Sequence, residues 1–131
     1  MGWPRQPQAK ARDDPTVAGV SPIQFARRVQ ETCDRSELVL TYDIRILDDT
    51  IVKIRVVLTD GPFIDVFYNA DSGKCSYALV EGGVRIYGAD NAFIGWHVHP
   101  FDDPRDHVHS PEVSFGDFLT AVEKYVESEA R

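Results

Sequence analysis

His97-Val98-His99 is followed, seven residues on, by His107-Val108-His109, so all four histidines of the chain fall within thirteen positions. On an extended strand His97 and His99 point to the same side with Cα atoms roughly 7 Å apart, so both rings can reach one ion or one phosphate. A loop that turns back brings His107 and His109 over the same strand end. Asp102, Asp103, Asp106 and Glu112 add carboxylates nearby.

Three chemistries fit this pattern. His97, His99 and His107 with a water or a carboxylate would suit zinc, nickel or a similar divalent ion. Alternatively, imidazoles near their unperturbed pKa of about 6.5 serve as acid and base, deprotonating a ribose 2′-hydroxyl and protonating a leaving oxygen. His97 or His99 would then be the base and His107 or His109 the acid, in ribonuclease-like hydrolysis. In the third reading the histidines are polar residues that cap a strand and decorate a loop. The spacing defines no established ligand pattern, so all three readings stay open.

Neighbouring residues are candidates for holding a substrate. Trp96 could stack a base or sugar, although a tryptophan on a sheet commonly belongs to the core. Asp90-Asn91 reads as a turn that could feed a side chain into the site. Asp43, Arg45, Lys53 and Arg55 sit on the polar face of two adjacent strands, where cross-strand ion pairs are expected rather than a phosphate groove. No serine occupies a nucleophile-elbow pattern, and no glycine-rich phosphate loop is present.

The elements that position these groups follow from periodicity. Residues 1–20, with Pro4, Pro7 and Pro15 among charges, read as a flexible leader before a single domain over 21–131. Ser21 is a good N-cap and Pro22 suits the first helical position. Ile23, Ala26, Val29 and Cys33 then follow at near-helical spacing, predicting a helix over 22–34. From residue 38 the pattern alternates, predicting strands over 38–46, 52–58, 63–68, 75–81, 84–87 and 93–99. Asp48-Asp49-Thr50, Asp60-Gly61-Pro62 and Gly82-Gly83 supply tight turns. Short turns leave no room for crossover helices, so the six strands form an antiparallel meander. After a loop at 101–113, Ser114 and Asp117 form a capping-box pattern. Phe115, Phe118, Leu119, Val122, Tyr125 and Val126 then make the apolar stripe of a C-terminal helix. The expected fold is α+β in two layers: helix, six-stranded meander, helix.

Composition bounds the function. A chain of 131 residues, 43% hydrophobic and 11% aromatic, can bury a core as one domain. A net charge of −7 argues against broad, non-specific nucleic-acid binding but allows a local basic groove. No apolar run is long enough to span a membrane, and the N-terminus lacks the apolar core of a signal peptide, so a cytoplasmic protein without a membrane partner is expected. In that compartment Cys33 and Cys75 are expected as reduced thiols.

The stretch Gly95-Trp96-His97-Val98-His99 also resembles the first motif of cupins. That fold needs several further strands and another histidine motif where the terminal helix follows here. A second resemblance covers about two thirds of the chain, from Tyr42 to Val126. It comprises a strand meander, an Asp90-Asn91 pair, the strand end Trp96-His97-Val98-His99-Pro100, His107 after an acidic loop, and a terminal amphipathic helix. In these features the chain resembles the TumE family, small proteins that form the toxin half of toxin–antitoxin pairs. The resemblance implies a prokaryotic cytosolic protein, a small helix-turn-helix antitoxin as partner, and RNA as target. Family members carry an arginine just before the Asp-Asn pair. Here Tyr87-Gly88-Ala89 stands there, with Arg85 further back, which leaves the family's arginine without a matched position.

Overall fold

A computed structural model describes residue 17, residues 19–93 and residues 95–129. The elements run α1 (Pro22–Asp34), β1 (Val39–Leu47), β2 (Ile51–Leu58), β3 (Phe63–Asn69), β4 (Cys75–Glu81), β5 (Val84–Asp90), β6 (His97–His99), β7 (Val108–His109) and α2 (Phe115–Glu129). The strands form one antiparallel sheet in sequence order, so the fold is α+β.

Both helices begin where their caps dictate. Ser21 Oγ accepts from the Gln24 N–H and Gln24 Oε1 accepts from the Ser21 N–H, each at 3.1 Å. This reciprocal box satisfies two otherwise orphaned donors ahead of Pro22. In α2, Ser114 Oγ accepts from the Asp117 N–H at 3.0 Å, and Asp117 adds negative charge to the first turn.

The meander differs from expectation in three places. A seventh strand, β7, arises inside the loop expected over 101–113; at two residues it is too short to show any alternation. The strand expected over 93–99 is reduced to His97–His99, because Phe93 at φ 64° and Gly95 at φ 103° leave the extended region. β5 continues to Asp90, because ladders on both sides carry Gly88 and Ala89 despite their low strand propensity.

Alternation then divides the sheet into two faces. Val52, Ile54, Val56 and Leu58 of β2 point inward, as do Ile64, Val66 and Tyr68 of β3 and Cys75, Tyr77 and Leu79 of β4. They pack against Phe25, Ala26 and Val29 of α1 and Phe118, Leu119 and Val122 of α2. Burying a side chain of this size contributes roughly 1.5–3 kcal/mol. Cys33 and Cys75 are free thiols in this core, and burial pushes both up to about 12, with Asp34 adding to the effect at Cys33.

The leader expected over 1–20 lies outside the described residues up to residue 16 and at residue 18. Val17 and Val20 belong to the core, at 6% and 7% exposure. The buried Tyr68 hydroxyl holds them, 2.6 Å from Val20 O and 2.9 Å from Val17 O. No described helix is long and apolar enough to cross a membrane.

Candidate functional site

Among the described residues no helix covers the opposite face of the sheet, and register places the histidines on it. His99 pairs with Gly88, and His97 pairs with Asp90 on one side and His109 on the other. Gly88 and Asp90 in turn oppose Ala78 and Ser76, which alternate with the inward Cys75, Tyr77 and Leu79. His97, His99, His109 and Asp90 therefore share the open face.

The loop after β6 completes the cluster. Phe101 stacks on Tyr87 and Tyr125, pinning the start of the loop to the inner layer. The chain returns at Asp106, whose carbonyl oxygen lies 3.1 Å from His99 Nδ1. His107 then stands edge-on to two rings at once, with centroids 4.6 Å from His99 and 5.8 Å from His97. His109 lies 5.2 Å from His97. His97 is half-buried, while His107 and His109 are exposed.

His99 is unlike the other three. It is 3% exposed, and its Nε2 lies 2.8 Å from Asp90 Oδ2. Both ring nitrogens thus face oxygen atoms, Nδ1 the Asp106 carbonyl and Nε2 the Asp90 carboxylate. Burial works against the charge of Asp90. The hydrogen bonds from His99 and the Ala92 N–H, aided by the nearby His99 and His97 rings, outweigh it and hold the carboxyl below its ordinary value. Asp90 and His99 form a fixed pair beneath His107.

That pairing bears on the ligand set expected from His97, His99 and His107. A metal ligand must offer a bare ring nitrogen, and both nitrogens of His99 are engaged. Among the described residues no group of three or more His, Cys, Asp or Glu side chains is arranged to hold a metal ion. The geometry therefore gives no preference for zinc or nickel at these three residues.

No family model, curated protein or solved structure matches this chain.

The other expected residues divide. Asp90 reaches the cluster, as the end of a strand rather than as a turn. Asn91 does not: its Oδ1 accepts from the Cys75 N–H and its Nδ2 donates to Gly73 O, each at 2.8 Å, locking β4 to β5. Trp96 alternates with His97 and so turns inward, where it stacks 6.0 Å from Tyr77. Asn91 and Trp96 thus both have structural partners in the fold. Glu112 is committed elsewhere, accepting from the Val17 N–H at 2.7 Å.

Two site residues escape the sequence reading. A bulge in the β4–β5 ladder sets Arg85 opposite Val80 while Tyr87 opposes Leu79, so Arg85 joins the open face out of normal alternation. A Cβ at Gly88 would lie 3.2 Å from Arg85 Cδ and 3.4 Å from His99 Cδ2, so the arginine stem and the imidazole meet over this glycine. A lone glycine inside a strand is a sign of close approach and was the available signal. Nothing in the residue order marks the bulge.

Proposed function

We propose that this protein cleaves RNA by metal-independent acid/base catalysis from His97 and His107, with His109 as a second acid and His99 as a positioning residue held by Asp90. The observation that carries this reading is the four-ring cluster on an open sheet face, in which one ring is anchored and three border solvent. One imidazole takes the proton of a ribose 2′-hydroxyl, and the freed oxygen attacks the adjoining phosphorus. The 5′-oxygen leaves with a proton from the second imidazole, giving a 2′,3′-cyclic phosphate and a 5′-hydroxyl end. Arg85, whose stem lies over Gly88 beside His99 and whose guanidinium donates to Pro104 O at 2.9 Å, brings positive charge to the neighbourhood of the phosphorane. The resemblance to the TumE family supports the setting: a toxin restrained by a small helix-turn-helix antitoxin.

The test is incubation of the purified protein with single-stranded RNA in excess chelator, with mapping of the product ends. Cyclic-phosphate ends are expected, and His97→Ala and His107→Ala should each slow cleavage by about a hundredfold or more. Intact RNA, or cleavage abolished by the chelator, overturns the proposal. A second reading, a non-enzymatic protein-interaction domain, draws on Phe93, which is 97% exposed on the turn leading to the cluster. It gains if RNA stays intact and Phe93→Ser abolishes capture by an antitoxin encoded beside this chain.

A further inference from the structure

Beyond the histidines, the open face continues across the sheet into a concavity of about 790 Å³ whose lining includes Arg45, Lys53, Arg55, Phe67, Ser76 and Ala78. We propose that this concavity is a binding track for single-stranded RNA that delivers a phosphodiester to the histidine cluster. The inference rests on the proposed ribonuclease reading and names the surface that such a reaction needs.

Continuity is the first argument. Ser76 on the concavity floor is the ladder partner of Asp90, and Ala78 is the partner of Gly88, over which His99 lies. The strand residues between the hollow and the imidazoles, Ser76, Ala78 and Gly88, are small, with the Arg85 stem lying over Gly88. From β2 to β6 the track crosses four strand spacings, roughly 19 Å, long enough for a few extended nucleotides.

Charge is the second argument. The chain as a whole carries −7, yet this hollow holds three cations against two carboxylates, Asp43 and Asp65. Arg45 is tied to Asp43 at 3.1 Å and Arg55 to Asp65 at 2.8 Å, so those two guanidinia are oriented along the floor by their neighbours. Lys53 lies exposed between them, opposite Arg45 in the β1–β2 ladder and Phe67 in the β2–β3 ladder. Phe67 is half-buried and presents an apolar surface beside that cation, the pairing of aromatic platform and positive charge that holds unstacked bases and their phosphates. A duplex, with its bases stacked away, gains nothing from the ring.

The experiment uses the whole chain and a fluorescent 2′-O-methyl RNA 12-mer, which lacks the nucleophilic 2′-hydroxyl and so reports binding without cleavage. Binding at 50 mM NaCl should weaken at least tenfold in Lys53→Glu/Arg45→Glu and about fivefold in Phe67→Ala. Affinity should fall with rising salt, with a log–log slope near −2 for three phosphate contacts, flattened in the charge-reversal variant. Lys124→Glu, an exposed charge reversal on α2 away from this face, should bind within twofold of the wild type. Circular dichroism spectra of these exposed-face variants should match the wild type. Absence of binding, binding indifferent to the charge reversals, or equal affinity for a duplex each overturns the track. Binding with these dependences and no cleavage of unmodified RNA leaves the track standing and overturns only the catalytic reading.

Discussion

His99 Nε2 and Asp90 Oδ2 stand 2.8 Å apart across the β5–β6 boundary, and this contact decides what each histidine can do. It engages His99 Nε2, while Nδ1 faces Asp106 O and so ties the loop to the ring, and it leaves His107 seated on a held ring.

Replacing His99 should therefore cost stability as well as activity. His99→Ala removes two hydrogen bonds and leaves the Asp90 carboxylate, only 22% exposed, without its imidazole partner. Bonds to charged groups are worth about 1.5–3 kcal/mol, so urea denaturation should show a loss of about 2–3 kcal/mol. His109→Ala, at an exposed position, should fall within about 0.5 kcal/mol of the wild type. Equal stability of the two variants contradicts the anchoring role.

Acid stability provides a second check. Asp90 is held below the ordinary carboxylate value of 3.8 in the folded state. Because its folded pKa is depressed, its contribution is fully present above about pH 5 and is lost as pH falls through the folded value. The stability gap between wild type and Asp90→Asn should thus be constant from about pH 5.5 to 5 and close progressively below about pH 4. A gap that stays constant down to pH 3 argues that Asp90 is not held ionised by this pair.

Gly88→Ala tests the close approach over the strand. The new Cβ would lie 3.3 Å from the Tyr77 carbonyl oxygen, which cannot retreat without disturbing the ladder, and would press on Arg85 and His99. Such overpacking should cost about 1 kcal/mol and lower RNA cleavage about tenfold by shifting the positioning ring. Gly116→Ala, whose Cβ meets only Ser114 Oγ at 3.7 Å in α2, should instead gain a few tenths to about 1 kcal/mol.

These contrasts show what the residue order carries and what it hides. Ser21-Pro22 and the 115–126 stripe are local signals, and α1 and α2 begin where they predict. Alternation gives β2, β3 and β4 their inward faces because each period-two run is seven residues or longer. The histidine spacing is equally local, so the four residues are visible before any fold is known. Their unequal roles are not visible. That His99 is buried depends on Asp90 ending a strand instead of forming a turn, and on a carbonyl returned by a loop seven residues later. Trp96 and Asn91 look functional because they flank the histidines, yet alternation turns one into the core and backbone geometry consumes the other. Arg85 reaches the site through a bulge, a ladder irregularity with no compositional mark.

The loop from Pro100 to His107 should depend on one ring for its position. Phe101 lies between Tyr87 and Tyr125, with centroids 4.1 Å and 4.0 Å away and ring planes within 5° and 7° of parallel. This three-ring stack ties the first turn of the loop to β5 and α2, while the Asp106 carbonyl and the β7 pairing hold its far end. Phe101→Ala deletes both stacking contacts and half-buried apolar area, and should lower stability by about 2–3 kcal/mol. With its near end released, the loop should exchange amide hydrogens faster over residues 100–107, while α1 and β2 keep their protection. RNA cleavage should drop as His107 loses its seat on His99. The 2′-O-methyl oligonucleotide should still bind, since Arg45, Lys53 and Phe67 lie three or more strands away. Phe101→Tyr, which keeps the ring, should restore protection and most of the cleavage. Unchanged exchange in Phe101→Ala, or cleavage that survives it, would show that the loop is held by Asp106 and β7 alone.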